Sequence, residues 1–122
     1  MTRINVVPVE ELCDKHLFAE DRELPRVFNL ARLCPDAPKE YTLGKGHVKF
    51  FYDKLRFLTN RNKQLIDECL KRGFGITYTT PRTIAHRIME PELYNDYIPT
   101  PEALALNRAR IAERISQFRR PL

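Results

Sequence analysis

The sequence predicts an all-α protein, a single compact domain over residues 1–122 with three main helices joined by long loops. Three stretches place apolar residues at helical spacing, and each has a recognisable start or stop signal. The length of 122 residues matches one domain, because domain sizes peak at roughly 100–150 residues. No internal repeat or linker divides the chain.

The first helix is predicted to begin after Pro8 and to continue to Leu33. A proline followed by Glu10 and Glu11 is typical of a helix entry. Pro25 removes a backbone N–H inside the stretch, so it forms either one kinked helix or two short helices that meet there. The apolar stripe of this stretch comprises Leu17, Leu24, Val27, Phe28 and Leu30.

The second helix is predicted from about Leu55 to Arg72, with Gly73 as its left-handed stop. The aromatic and basic stretch that precedes it, GHVKFFYDKL at 46–55, could stack nucleic-acid bases, but core packing is the favoured interpretation. The predicted buried face of the helix comprises Leu55, Leu58, Leu65, Ile66, Cys69 and Leu70.

The third helix is predicted to start at Thr100, which supplies a hydroxyl cap before Pro101 and Glu102. Between the helices we expect a flexible loop over 34–46, whose GKG lacks the spacing of a phosphate-binding loop. Residues 74–99 are predicted to be irregular, with one helical turn around 81–89. The inward side chains of the third helix are predicted to be Leu104, Ile111, Ile115 and Phe118.

The net charge of the chain indicates which kind of partner it binds. A net charge of +5 and a pI of about 9.3 favour a polyanion, nucleic acid before a membrane surface, although a merely solvated basic surface is as compatible. No apolar window approaches the length of about 18 residues that a membrane span needs, and no signal-peptide run is present. We therefore expect a soluble, cytoplasmic protein. The three widely spaced cysteines and three scattered histidines predict neither structural zinc nor a disulfide framework.

Two polar helix faces are candidate binding surfaces. On the first helix, His16, Ala19, Glu23 and Arg26 step by three, four and three residues and project from one side, with Arg22 at the border. This face either surrounds one carboxylate with guanidinium groups or is a solvated face with ordinary Arg–Glu pairs. The face on the third helix either clamps a phosphate or is likewise solvated. Its members are Arg110, Glu113, Arg114 and Gln117, with Arg108 at the edge.

The N-terminus is a possible nucleophile. Removal of Met1 before a residue as small as Thr2 would leave a free α-amine, whose intrinsic pKa lies near 7.7–8.0 against about 10.4 for lysine. Roughly a tenth of that amine is neutral at pH 7, and neighbouring arginines such as Arg3 would increase the share. Such an amine can form a Schiff base without a buried lysine.

Several stretches carry a resemblance to a known family. They are MTRIN at 1–5, HLFAEDRELPRVF at 16–28, GHVKFFYDKL at 46–55, ECLKRGF at 68–74 and DYIP at 96–99. In this order and over nearly the whole chain, they resemble the pyrimidine-dimer DNA glycosylase and abasic-site lyase family, the endonuclease V type of T-even phages. The resemblance implies an all-α fold whose N-terminal segment runs between helices.

The resemblance also implies a bifunctional mechanism. Thr2 would attack the sugar C1′ of the damaged nucleotide and displace the base through an imine, and Glu23 would stabilise the sugar cation and assist β-elimination. It implies that damaged double-stranded DNA is the partner, that the protein acts as a monomer, and that no metal or cofactor takes part. The positions that match family residues at the DNA are Arg3, His16, Arg22, Arg26, Arg110 and Arg114, where Arg114 replaces a family lysine.

Two departures from the family pattern keep alternatives open. The loop after Cys34 is shorter than in the phage protein, and the aromatic and basic C-terminal tail of the viral enzymes is replaced by FRRPL at 118–122. One alternative is therefore an abasic-site lyase with another or a relaxed damage preference. The other is a small DNA-binding protein that uses the same arginines without chemistry.

Overall fold

A computed structural model describes residues 4–33, 37–43, 47–80 and 91–118 of the chain. Within these ranges all regular structure is helical, which confirms the predicted all-α class. None of the described helices is both long enough and apolar enough to cross a membrane. The α-helices are α1 Asp14–Glu23, α2 Arg26–Leu33, α3 Leu55–Lys71 and α4 Pro101–Phe118, and short 3-10 turns lie at Val9–Glu11, Lys49–Phe51 and Pro91–Leu93.

The first predicted helix is two helices that meet at Leu24 and Pro25. The N–H of Leu24 makes the last regular bond of α1, to the Glu20 carbonyl at 2.9 Å. Pro25 has no N–H to continue the series, and α2 begins at the next residue. The entry after Pro8 is a 3-10 turn rather than the start of the long helix. Leu30, predicted to face inward, is 43% exposed, so that prediction is wrong.

Helix α3 begins at Leu55 as predicted and ends one residue before the predicted position. Gly73 follows it with φ +84°, a left-handed conformation that glycine adopts without steric cost, so the predicted stop is confirmed. Leu70, placed on the buried face by the sequence, is 47% exposed, and that prediction is wrong. The other five predicted positions of the face are buried.

Helix α4 starts as predicted, because the Ala103 N–H donates to the Thr100 hydroxyl oxygen at 3.0 Å. Ile111 is buried, and Leu104 and Ile115 are partly buried against the core. The side chain of Phe118 lies outside the described residues. The same holds for the predicted GKG loop at 44–46 and for the predicted helical turn around 81–89.

The aromatic stretch before α3 belongs to the core, which confirms the favoured interpretation. Phe50, Phe51 and Tyr52 are all buried. The Phe50 ring meets the Phe51 and Tyr97 rings edge to face, each at a centroid distance of 5.1 Å. These contacts join the segment before α3 to the segment before α4.

The cysteines that the structure describes carry free thiols. They are Cys13, which is partly exposed, and Cys69, which is buried. Burial raises the pKa of the Cys69 thiol to about 11. A thiol with that pKa is protonated at neutral pH and unreactive as a nucleophile.

The segment Ile4–Val7, called here the N-terminal segment, is buried between helices, as predicted. No strand lies beside it in the part of the chain that the structure describes, and side chains satisfy its backbone groups. The Ile4 N–H donates to His47 Nε2 at 3.0 Å. The Val6 and Val7 N–H groups donate to Asn107 Oδ1 at 2.7 and 3.2 Å.

A buried ion pair lies where this segment crosses α1 and α3. Arg61 Nε donates to Glu20 Oε2 at 2.8 Å, and both side chains are almost fully buried. Arg61 Nη1 also donates to the Val7 carbonyl, and Asn5 Nδ2 donates to Glu20 Oε1 at 2.8 Å. One carboxylate thus connects two helices and the N-terminal segment.

We predict that Arg61→Met lowers the free energy of unfolding by about 3–5 kcal/mol, because it leaves the Glu20 carboxylate buried without its cation. Combining it with Glu20→Gln should restore part of the loss, since a neutral amide needs no counterion. Urea unfolding followed by circular dichroism measures both.

The matched control is Arg108→Met, which breaks the exposed Arg108–Glu11 pair at 2.8 Å. Its effect should be much smaller, because exposed ion pairs contribute little to stability. Equal losses for Arg61→Met and Arg108→Met would show that the buried pair has no special importance for the fold.

Candidate active site

A cavity of about 90 Å³ lies between α1 and α4. His16, Ala19, Glu20 and Glu23 from α1, Arg110, Ile111 and Arg114 from α4, and Asn5 from the N-terminal segment line it. The two polar helix faces that the sequence singled out therefore meet across one cavity, with a carboxylate on one wall and two guanidinium groups on the other.

The α1 wall follows from helical geometry. Steps of three and four residues place His16, Ala19 and Glu23 on one side of a helix. Ala19 has the shortest side chain of the three, and it leaves open space between the imidazole and the carboxylate. Glu23, the last residue of α1, is only partly exposed, with 21% of its side chain accessible.

Arg22 and Arg26 do not line this cavity. One residue along a helix is a turn of about 100°, so Arg22 points away from Glu23 and lines a second cavity of about 210 Å³ with Phe18 and Asp21. Its guanidinium group still approaches Glu23 Oε1 to 3.8 Å. Arg26 is exposed at the start of α2, beyond the break at Pro25. The predicted residues Thr2 and Arg3 lie outside the described residues.

His16 is a neutral imidazole in this setting. Burial lowers its pKa below the ordinary 6.5, and the positive charges of Arg114 and Lys15 lower it further, against an opposing effect of Glu20. At neutral pH the ring therefore acts as a hydrogen-bonding group rather than as a cation. This favours contact with a polar ligand atom over simple charge attraction to a phosphate.

The α4 wall offers donors for an anion. Arg110 Nη1 lies 3.6 Å from Glu113 Oε2, whereas its Nε is buried and has no hydrogen-bond acceptor in the part of the chain that the structure describes. A buried donor without an acceptor is uncommon, and a ligand oxygen in the cavity would satisfy it. Arg114, one turn further along α4, faces the same space.

Arg108, also on α4, is engaged elsewhere. It donates from Nε and Nη2 to the two carboxylate oxygens of Glu11 at 2.9 and 2.8 Å. The predicted polar face of α4 is therefore divided. Arg110 and Arg114 line the cavity, and Arg108 forms a two-point ion pair with the turn before α1.

The cavity has a buried polar floor that sequence reasoning missed. Asn5 donates to Glu20 Oε1 at 2.8 Å and accepts from Asn107 Nδ2 at 2.9 Å. Arg61 Nε donates to the other carboxylate oxygen, Glu20 Oε2, at 2.8 Å. A signal for these residues exists in the sequence. Each polar residue interrupts an apolar stripe at helical spacing: Glu20 between Leu17 and Leu24, Arg61 between Leu58 and Leu65, and Asn107 between Ala103 and Ile111.

Among the residues that the structure describes, no group of three or more His, Cys, Asp and Glu side chains is arranged to hold a metal ion. The acids of the cavity are instead in contact with donors, Glu20 with Asn5 and Arg61 and Glu23 with Arg22. The chemistry that the described residues offer is that of a carboxylate, an imidazole and guanidinium groups.

A comparison with protein families identifies the chain. A family model described as pyrimidine dimer DNA glycosylase matches residues 1–81, about two thirds of the 122 residues. The match includes Asn5, His16 and Glu23 and the helices α1, α2 and α3, while α4 with Arg110 and Arg114 lies beyond it. The function implied by the family, removal of a damaged base from DNA, is compatible with a cavity lined by a carboxylate and two guanidinium groups. The chain belongs to the pyrimidine dimer DNA glycosylase family.

Proposed function

We propose that this glycosylase is bifunctional: it removes a base from an ultraviolet-induced pyrimidine dimer in double-stranded DNA and then cuts the strand at the abasic site. The α-amine of Thr2, freed by removal of Met1, is the nucleophile, and Glu23 is the assisting carboxylate. One observation carries the proposal: Glu23 and Asn5 line the same cavity, and Asn5 follows Thr2 by three residues.

Chain length supports this placement of the amine. An extended chain advances at most about 3.3–3.6 Å per residue, so Thr2 lies within about 11 Å of Asn5. Asn5 and Ile4 are held by the hydrogen bonds to Glu20, Asn107 and His47. The cavity that Asn5 lines is therefore within reach of an amine on Thr2.

The chemistry then proceeds in balanced steps. The neutral amine attacks C1′ of the damaged nucleotide while the glycosidic bond breaks, and the base leaves with the bonding electron pair and takes up a proton. The amine loses protons as the sugar ring opens, which leaves an imine at C1′. Loss of a C2′ proton then expels the 3′ phosphate by β-elimination, and water hydrolyses the imine to regenerate the amine.

Glu23 can act at two of these stages. Its carboxylate faces the cavity, where it would stabilise positive charge on the sugar as the base leaves. It would afterwards assist removal of the C2′ proton. Positioned acid–base groups typically contribute about 10²–10⁴-fold to a rate, and the proposed steps need neither a metal nor a cofactor.

The arginines of α4 would hold the DNA backbone. Guanidinium groups bind phosphates through paired hydrogen bonds, and the buried donor of Arg110 has an acceptor if a phosphate oxygen enters the cavity. His16, Arg22, Arg26 and Arg3 complete the proposed DNA contacts, with Arg22 and Arg26 acting outside the cavity.

Borohydride reduction of the reaction on dimer-containing duplex should trap a covalent protein–DNA adduct, and peptide mapping should place it on Thr2. The control is Thr2→Leu, because a bulky second residue retains Met1 and displaces the amine by one residue. An adduct on a lysine, or none, would refute the proposed nucleophile.

The same assay on abasic duplex separates the alternatives. Nicking and trapping of abasic DNA without action on dimers would support a lyase of relaxed specificity. Binding of both duplexes without any adduct or nicking would support a DNA-binding protein without chemistry.

Glu23→Gln should lower the single-turnover cleavage rate by at least about 100-fold, because the amide cannot accept a proton or neutralise a cation. Its Kd for duplex DNA should change little, since the two side chains have the same shape. The matched control is Asp21→Asn, an identical change of charge two residues earlier, on the side of α1 that faces the second cavity. If Glu23→Gln retained cleavage within a few-fold of wild type, the carboxylate would have no part in the reaction.

Arg114→Gln should weaken DNA binding and reduce the slope of log Kobs against log salt by about 1, as expected for one lost phosphate contact. Arg108→Gln is the control on the same helix, because its guanidinium group is already paired with Glu11. Equal changes of slope for the two variants would mean that the cavity arginines have no special relation to the phosphates. Fluorescence anisotropy over a salt series measures both slopes.

A further inference from the structure

We infer that Asn5 and Asn107 are positioning residues for the reaction: their mutual hydrogen bond holds the segment that carries the amine in register with Glu23. The inference rests on the function proposed above. It assigns to two buried amides a role in the rate of the chemical step, beyond their contribution to the fold.

The two amides connect both walls of the cavity. Asn5 donates to Glu20 on α1 at 2.8 Å and accepts from Asn107 on α4 at 2.9 Å. Asn107 is fully buried, and its Oδ1 also accepts from the backbone of Val6 and Val7. Every polar atom of the Asn107 side chain is therefore committed to the N-terminal segment.

Helical spacing relates the positions of Asn107 and Glu20 to those of the groups that bind and react. Asn107 precedes Arg110 by three residues and Arg114 by seven, so all three lie on one side of α4. Glu20 precedes Glu23 by three residues on α1 by the same rule. The Asn5 bridge therefore sets the distance between the carboxylate wall and the guanidinium wall, and it fixes where the chain leaves the anchor toward Thr2.

Stability explains only part of the choice of polar groups, because the buried N–H groups of Val6 and Val7 need the Asn107 oxygen. The hydrogen bond between the two amides is a separate matter, because both partners of a buried hydrogen bond can often be replaced by apolar groups of similar shape with little loss of stability. Hydrogen bonds differ from apolar contacts in that they prescribe distance and direction. A displacement of about 1 Å can lower the rate of such a reaction about 100-fold. Hydrogen bonds that fix distance and direction therefore serve the reaction better than apolar contacts do.

The test measures single-turnover cleavage of dimer-containing duplex together with the Kd for the same duplex. Asn5→Ala removes the bridge between α1 and α4. Asn107→Asp keeps the oxygen that accepts from Val6 and Val7 but loses the donor to Asn5. We expect each variant to lower the cleavage rate by about 10–100-fold, while Kd changes by less than about threefold because the cavity arginines remain.

A destabilised variant distant from the cavity separates positioning from general weakening of the fold. Leu55→Ala removes a fully buried side chain at the start of α3, and it should lower the unfolding midpoint while leaving the cleavage rate unchanged well below that midpoint. If Asn5→Ala fails to fold, Asn107→Asp decides the question. Circular dichroism confirms that each assayed variant is folded at the assay temperature.

The outcomes distinguish this inference from the proposed function. If the wild type forms its N-terminal adduct and both folded variants cleave at the wild-type rate, the positioning role is overturned and the proposed function stands. If the variants slow only as much as Leu55→Ala does, the positioning role is again overturned. A wild type that forms no N-terminal adduct overturns both.

Discussion

The structure depends on the way in which the buried Glu20 carboxylate is satisfied. A carboxylate that is 1% exposed is tolerated only if donors replace the water that it has lost. Arg61 supplies two donors from α3, and Asn5 supplies a third from the N-terminal segment. The carboxylate and its donors place α1 against α3 and keep the N-terminal segment, which has no neighbouring strand among the described residues, buried between helices.

Much of the fold follows from helical periodicity in the sequence. Local features can be recognised in a single sequence. Examples are the α3 stripe, the Thr100 cap and the Gly73 stop. The two wrong positions have a geometric explanation. Within α2, Leu30 follows the buried Phe28 by two residues, which places it about 160° away around the helix, and Leu70 lies at the edge of the α3 stripe. Being apolar was not sufficient to bury them.

The candidate site was only partly predictable. Helical spacing grouped His16 with Glu23 and Arg110 with Arg114, but only tertiary packing places these two faces across one cavity. The same spacing grouped Arg26 with Glu23, and the break at Pro25 ends that relation. The sequence analysis did not single out Glu20, Arg61 and Asn107. A polar residue within an apolar stripe was treated as an interruption of the stripe, whereas here each one marks a buried polar contact.

The anchoring of Ile4 has a consequence for how this chain tolerates change in length. Only Arg3 lies between Thr2 and the first anchored residue, so inserting or deleting one residue there alters the reach of the amine by about 3.3–3.6 Å, comparable to the whole length of a hydrogen bond. Under the mechanism proposed above, a change of side chain at that position leaves the chain length between Ile4 and the amine unchanged, whereas a change in the number of residues does not. Under the proposed mechanism, the start of this protein is a spacer whose length is under stronger constraint than its composition.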